Sequence, residues 1–104
     1  MNWVKAWERR NITLYMSFYS KNFKDQKRSY SQWKAHRRLS LSNSKNISIK
    51  ITELKTNLLK NKSIQVTFVQ RYISEITSDI GVKKLIWVKE GKSWKIVKET
   101  WQPQ

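Results

Sequence analysis

Ile64-Gln65-Val66-Thr67-Phe68-Val69-Gln70-Arg71-Tyr72-Ile73 alternates. Ile64, Val66, Phe68, Gln70 and Tyr72 share one face, and Val69, Arg71 and Ile73 take the other. A period of two is that of a strand whose faces meet different surroundings. The same period runs on toward the C-terminus. Within Val82 to Lys89, Leu85 and Trp87 oppose Ile86 and Val88, and Trp94 to Trp101 returns as a further strand. Glu90-Gly91-Lys92 between them is a turn in which glycine supplies positive φ. Upstream, Ile47, Ile49 and Ile51 oppose Ser48, Lys50 and Thr52. Loops at 55–62 and 74–81 would join these strands as hairpins in an antiparallel meander.

Toward the N-terminus the period changes to 3.6. Ile12, Tyr15, Met16 and Tyr19 fall at i, i+3, i+4 and i+7, one face of a helix that Asn11 can cap. Trp3, Val4 and Trp7 form the stripe of a shorter helix before it. Ser20 to Arg28 is polar and reads as a loop anchored by Phe23. Ser29-Tyr30-Ser31-Gln32 fits a capping box that starts a third helix. Tyr30, Trp33, Arg37 and Leu41 line one side of it, and Asn43 and Ser44 end it. The expected architecture is one α+β domain over residues 1–104, with three helices at about 2–43 and four antiparallel strands at about 46–101.

Composition narrows the class. The chain has 22 Lys and Arg against 7 acids, a net charge of +15. High charge with few apolar residues suits disorder, but six Trp, four Tyr and three Phe with only two Gly and one Pro do not. With no cysteine, disulfides, thiol nucleophiles and cysteine-ligated metals are excluded. No apolar run reaches the ~18 residues of a membrane-spanning helix. Met1-Asn2-Trp3-Val4-Lys5 lacks the apolar stretch of a secretory signal. Export would need a signal on a longer precursor, giving a periplasmic or envelope location; otherwise the chain reads as cytoplasmic.

The order of these motifs resembles a known fold. Trp3-x-x-x-Trp7 is followed by Tyr15-x-x-x-Tyr19-Ser20, Phe23, Trp33-x-x-x-Arg37 and Ile47-x-Ile49-x-Ile51. The chain closes with Phe68-Val69-Gln70-Arg71-Tyr72, Lys84-Leu85-Ile86-Trp87 and Trp94-Lys95-Ile96-Val97-Lys98-Glu99-Thr100-Trp101. Over roughly residues 3–101 this resembles the cone-shaped nuclear-transport-factor-2-like (NTF2-like, or SnoaL-like) fold. More narrowly, it is similar to the C-terminal accessory domain of bacterial L,D-transpeptidase and L,D-carboxypeptidase enzymes of the peptidoglycan wall. The resemblance implies a curved sheet around the helices with a pocket at its wide end, and a domain that does not carry the catalytic cysteine. Because that fold hosts enzymes, binding modules and dimerisation modules, the residues must supply the function.

They favour binding over catalysis. Acid–base enzymes on such a cone need a polarised pair aimed into the pocket. The single histidine, His36, sits at the edge of its helix face, and Asp25 and Asp79 read as solvated turn acids. Glu53 ends its strand on the isoleucine face. No acid pair, glycine-rich phosphate loop or His/Asp/Glu cluster is present, so no catalytic residue, metal or cofactor is expected. Glu99 alternates with Val97 and Trp101, so it shares a core-like face. A buried carboxylate needs a partner, and Arg37 or Arg38 is the expected one, as a helix-to-sheet clamp or as polar groups of the pocket. Tyr15, Tyr19, Trp33, Gln70, Tyr72 and Trp87 are the candidate lining of an aromatic cleft suited to sugar rings or peptide stems.

Lys21, Lys24, Lys27, Arg28 and Lys34, with Arg37 and Arg38, form the densest basic run. It would attract an anionic cell-wall polymer. Residues 1–52 carry 12 Lys and Arg against 2 acids; residues 53–104 carry 10 against 5. The expectation is therefore a non-catalytic binding or positioning domain for a wall polymer or a wall-processing enzyme. A homodimer through the apolar outer face of Val69, Ile73, Ile86 and Val88 is a further expectation. The alternatives are a small SnoaL-like lyase or isomerase using the pocket, and a basic nucleic-acid-binding module.

Overall fold

The computed structural model describes residues 2–25, 27–43 and 45–104. Its elements are α1 (Asn2–Glu8), α2 (Ile12–Ser17), β1 (Tyr19–Lys24), α3 (Tyr30–Asn43), β2 (Ser48–Leu58), β3 (Ile64–Ile73), β4 (Ser78–Glu90) and β5 (Ser93–Pro103). Two helix starts follow the local rules. Asn11 lies in extended backbone and its side chain accepts the Leu14 N–H at 3.1 Å. Ser29 Oγ accepts the Gln32 N–H at 3.3 Å and Gln32 Oε1 accepts the Ser29 N–H at 3.1 Å, a reciprocal box. Asn43 is the last residue of α3; Ser44 lies outside the described residues.

The sheet has five strands, not four, in the order β1-β5-β4-β3-β2. Residues 19–24, expected as the end of a helix and a loop, form β1, which pairs parallel with β5. The segment looked polar because Lys21, Asn22 and Lys24 face water, while Tyr19, Ser20 and Phe23 are buried. The β2–β3, β3–β4 and β4–β5 pairs are antiparallel, as expected of a meander. The first hairpin loop is shorter than expected, because β2 continues to Leu58 after a register shift between Thr52 and Lys55. Glu53 sits in that bulge with φ 55° and is exposed, so the isoleucine parity does not carry it inward. The second loop also shrinks, since β4 begins at Ser78. Gly91 has φ 62° in the β4–β5 turn, as its position requires.

One face of the sheet meets the helices. Val66, Phe68, Leu85 and Ile96 are buried there, with Ile49 of β2, against Trp3, Trp7, Tyr15, Trp33 and Leu41 of the helices. Trp33 holds α3 down: its ring lies 4.3 Å from Phe23 and 4.6 Å from Tyr19, centroid to centroid. Trp94 is 40% exposed near the start of β5. The other sheet face carries Val69, Ile86 and Val88 half-buried and Ile73 exposed.

Gly81 serves a close approach. A Cβ there would lie 2.6 Å from the Gln102 carbonyl oxygen and 2.7 Å from the Trp101 ring. The missing side chain lets the Trp101 indole approach the β4 backbone closely.

Candidate functional site

A cleft of about 310 Å³ opens where α1 and α3 meet the inner face of the sheet. Trp7, Arg37, Gln70, Tyr72, Lys83 and Trp101 form its working walls, with Asp79, Ile76 and Thr77 toward the mouth. Trp7 and Tyr72 pack with ring centroids 5.4 Å apart. The Gln70 side chain is buried, and its Oε1 has no hydrogen-bond partner among the described residues.

The charged groups belong to one connected line. Arg37 Nε donates to the Tyr15 hydroxyl at 3.2 Å. The Tyr15 and Tyr19 hydroxyls lie 3.0 Å apart, and Tyr19 donates to Glu99 Oε1 at 2.5 Å. A tyrosine hydroxyl has one proton and two lone pairs. With the Tyr19 proton on Glu99, Tyr15 must donate to Tyr19, and Tyr15 then receives Arg37. Trp3 Nε1 donates to Tyr19 at 3.1 Å and completes its valences. At the far end Lys83 Nζ is 2.8 Å from Glu99 Oε2. From Arg37 through the two tyrosines every proton points toward Glu99, Lys83 donates to it from the other side, and such a chain polarises itself cooperatively.

Burial and charge set the ionisation of each member. Burial pushes the Tyr15 phenol up, and burial together with the Glu99 charge pushes Tyr19 well above its ordinary value. Burial opposes the charge on Glu99, but Lys83 and the Tyr19 hydrogen bond outweigh it and hold the carboxyl below its usual range. Burial lowers Lys83, and the attraction of Glu99 restores only part of that. Burial also works against Arg37, but Tyr15, Tyr19 and Glu99 overcome it and raise the guanidinium. The ammonium of Lys83 lies 4.9 Å from the Trp7 centroid, 5.6 Å from Trp3 and 5.5 Å from Trp101, inside a cage of three indoles. Arg37 stacks on Trp7 at 5.1 Å and Tyr15 at 5.3 Å.

These positions correct several expectations. The ion pair of Glu99 is with Lys83 on the neighbouring strand, not with Arg37 or Arg38. Leu85 lies opposite Glu99 in the β4–β5 register, and Lys83, two residues from Leu85, shares its inward face. Arg37 reaches Glu99 only through two tyrosines. Arg38 is exposed and lines a separate groove. Of the six residues expected to line the cleft, Gln70 and Tyr72 do so. Tyr15 and Tyr19 are core members of the line, Trp33 is core, and Trp87 packs edge-on against Phe18 at 6.4 Å.

The basic run divides. Lys21 and Lys34 line the groove with Arg38, while Lys24, Lys27 and Arg28 are exposed around Asp25. Asp25 accepts the Lys27 and Arg28 N–H groups at 3.1 Å and lies 3.9 Å from the Arg28 guanidinium. His36 is exposed on α3. Among the described residues no cluster of three or more His, Cys, Asp or Glu could hold a metal ion. Among the described residues no helix is long and apolar enough to cross a membrane. Sequence reasoning missed Lys83 and Trp101 as site residues, although the alternation Lys83, Leu85, Trp87 carried the signal for the lysine.

Three helices on one face of a five-stranded, mostly antiparallel sheet, with a polar cleft between them, define an α+β protein of the NTF2-like class. The sequence profile of the Cds6 C-terminal NTF2-like domain matches residues 1–100, and the chain belongs to that family. Among solved structures it is similar to Bdellovibrio bacteriovorus Bd1075, with 31% identity and a TM-score of 0.89 over 98% of this chain and 37% of that one. It is similar also to the helical cell shape determining protein Pgp2 of Campylobacter jejuni, with 23% identity and a TM-score of 0.77 over 94% of this chain and 37% of that one. An NTF2-like protein of unknown function from Pseudomonas putida KT2440 shares the fold at 14% identity and a TM-score of 0.78, over 96% of this chain and 78% of that one. The chain thus spans 37% of the length of the first two structures. A search of curated proteins finds no match.

Proposed function

We propose that this domain is a non-catalytic binding and positioning module for bacterial cell-wall processing, and that its cleft receives an anionic fragment of peptidoglycan. One observation carries the reading. Arg37 spends its Nε on Tyr15, and no hydrogen bond among the described residues engages its terminal nitrogens, which belong to the wall of an aromatic cleft. A guanidinium held by two rings, with its outer fork unused, suits a carboxylate. Trp7, Tyr72 and Trp101 offer flat surface for the rest of a peptide stem or sugar. The likeness to a helical cell shape determining protein supports the wall context.

Among the described residues, the enzyme alternative lacks a free carboxylate in the buried part of the cleft; Asp79 lies exposed at its mouth. Glu99, the buried carboxylate, receives both Tyr19 and Lys83 and is held acidic, so its basicity is low at neutral pH. Nucleic-acid binding lacks open stacking platforms in the basic region: Tyr30 lies under Lys34, whose ammonium is 6.0 Å from the ring centroid.

The test is calorimetric titration with soluble muropeptides, against the same peptides amidated at their carboxylates. The expected result is saturable binding that weakens at least tenfold on amidation and in Arg37→Ala, with partial retention in Arg37→Lys. Binding indifferent to both amidation and Arg37 would refute the reading, as would tighter retention on RNA than on peptidoglycan at all salt concentrations.

A further inference from the structure

A second concavity has a lining that shares no residue with the cleft described above. A groove of about 720 Å³ runs between α2, α3 and β1. Its cations come from three elements: Lys21 of β1, Lys34 and Arg38 of α3, and Lys95 of β5. Lys34 and Arg38 are four residues apart on one helix, so their side chains project to the same side. Lys95 Nζ donates to the Ser17 carbonyl, which fixes its head at the groove wall. The one carboxylate is Glu90, and its Oε2 already accepts the Ser20 hydroxyl at 2.6 Å. Four cations thus face one acid, one of whose oxygens is already engaged. The remainder of the lining is partly apolar, with Ile12, Met16 and Tyr30 each half-buried.

We infer that this groove docks an acidic, amphipathic segment of a partner polypeptide along β1. Three features select that occupant. The charge excludes a second copy of this basic chain and favours an anion. The apolar lining favours an anion with apolar side chains over a hydrophilic polyphosphate, which would gain nothing from Ile12 and Met16. The groove also includes Ser20, Lys21 and Asn22 of β1, which is the terminal strand of the sheet, with β5 as its neighbour. An edge strand offers unpaired backbone groups that an extended polypeptide can use and other polyanions cannot. The Asn22 N–H is already taken by Ser20 Oγ at 3.0 Å, so added pairing would lie beside that residue rather than at it.

The probe is a fluorescein-labelled peptide, Asp-Leu-Glu-Tyr-Asp-Leu-Glu-Leu, followed by anisotropy with the whole chain. The variants are Lys34→Glu/Arg38→Glu in the groove, Met16→Gln in its apolar lining, and Lys50→Glu/Lys84→Glu on the outer face as a control of equal charge. Melting curves of each establish that it is folded. The expected result is saturable binding that weakens at least tenfold in the groove pair and at least threefold in Met16→Gln, and less than threefold in the outer-face control. Equal loss in the two charge-reversed pairs would overturn the inference, because binding would then follow net charge alone. Competition by a polyphosphate or oligonucleotide of matched charge as effective as unlabelled peptide would overturn the peptide assignment, and so would indifference to Met16→Gln. The muropeptide titration concerns a different cavity, so the failure of one reading leaves the other standing.

Discussion

Removing the Glu99 charge should be among the most damaging conservative changes in this chain. Glu99→Gln keeps the shape and an acceptor for Tyr19, but leaves the Lys83 ammonium among three indoles with no counter-charge. The Lys83 side chain is 7% exposed and that of Glu99 17%, so water can replace little of what is lost. Breaking a buried pair by removing one partner costs about 3–5 kcal/mol. Cation–π contact is worth about 2 kcal/mol in such a desolvated site, but it is present in the parent protein as well and so does not offset the loss. A loss of about 3 kcal/mol lowers Tm by roughly 12–24 °C in a domain of this size. The assay is urea and thermal unfolding of the parent, Glu99→Gln, Lys83→Met and the double variant. Lys83→Met leaves a carboxylate with only Tyr19, and the double variant replaces the pair by an amide and a thioether in an aromatic cage. The double variant should therefore be more stable than the sum of the single losses predicts. The same pair fixes an acid limb. Glu99 is held below its ordinary 4.5 in the folded chain, so its contribution is complete above that value and is lost as pH falls through the lowered one. That limb should be absent from Glu99→Gln. Additive single losses, or a parent and a Glu99→Gln variant with the same acid dependence, would refute the argument.

Two smaller perturbations test the scaffold around the site. Gly81→Ala places a Cβ against the Gln102 backbone and the Trp101 ring, so it should cost about 1–3 kcal/mol and shift the emission of the displaced indole; an unchanged melting curve would show that β4 and β5 yield there freely. Asn11→Ala removes the acceptor of the Leu14 N–H and should cost about 1 kcal/mol by urea unfolding, whereas Asn11→Ser should restore most of it.

Local rules made much of the fold legible. Asn11 and the Ser29–Gln32 pair announced helix starts because a cap depends on residues within one turn of each other. The inward row Ile64, Val66, Phe68, Gln70, Tyr72 was readable because pleating fixes parity whatever the strand pairs with. What escaped depends on distant partners. Tyr19–Lys24 became a strand only because β5 offers it a parallel edge, and nothing inside Tyr19-Ser20-Lys21-Asn22-Phe23-Lys24 encodes that neighbour. The bulge at Glu53 reset the parity of β2, and positive φ at a glutamate has no local signature. For Glu99, sequence showed that a buried carboxylate needed a cation. An arginine on the third helix is the expected partner because its planar fork suits a carboxylate in the gap between helix and sheet. The three indoles that cage Lys83 come from α1 and from the end of β5, beyond the reach of local pattern.

The choice of lysine for the pair then governs what the cleft can do. A guanidinium on Glu99 would have taken Arg37 out of the cleft and left Tyr15 without its donor. With Lys83 as counter-ion, the carboxylate is satisfied from the sheet side, and its second oxygen is free to end a line of hydroxyls. That line terminates at the Arg37 Nε, so it grips the guanidinium by its stem rather than by its fork. Trp7 and Tyr15 hold the plane of the group from its faces. The aromatic core thus neutralises Glu99 and fixes the Arg37 guanidinium with one connected set of hydrogen bonds. A hydroxyl removed from the line, as in Tyr15→Phe, would loosen the arginine without touching its charge. The physical consequence is a cleft in which donors are fixed and the buried base is spent, a geometry that discriminates among ligands by where their acceptors lie.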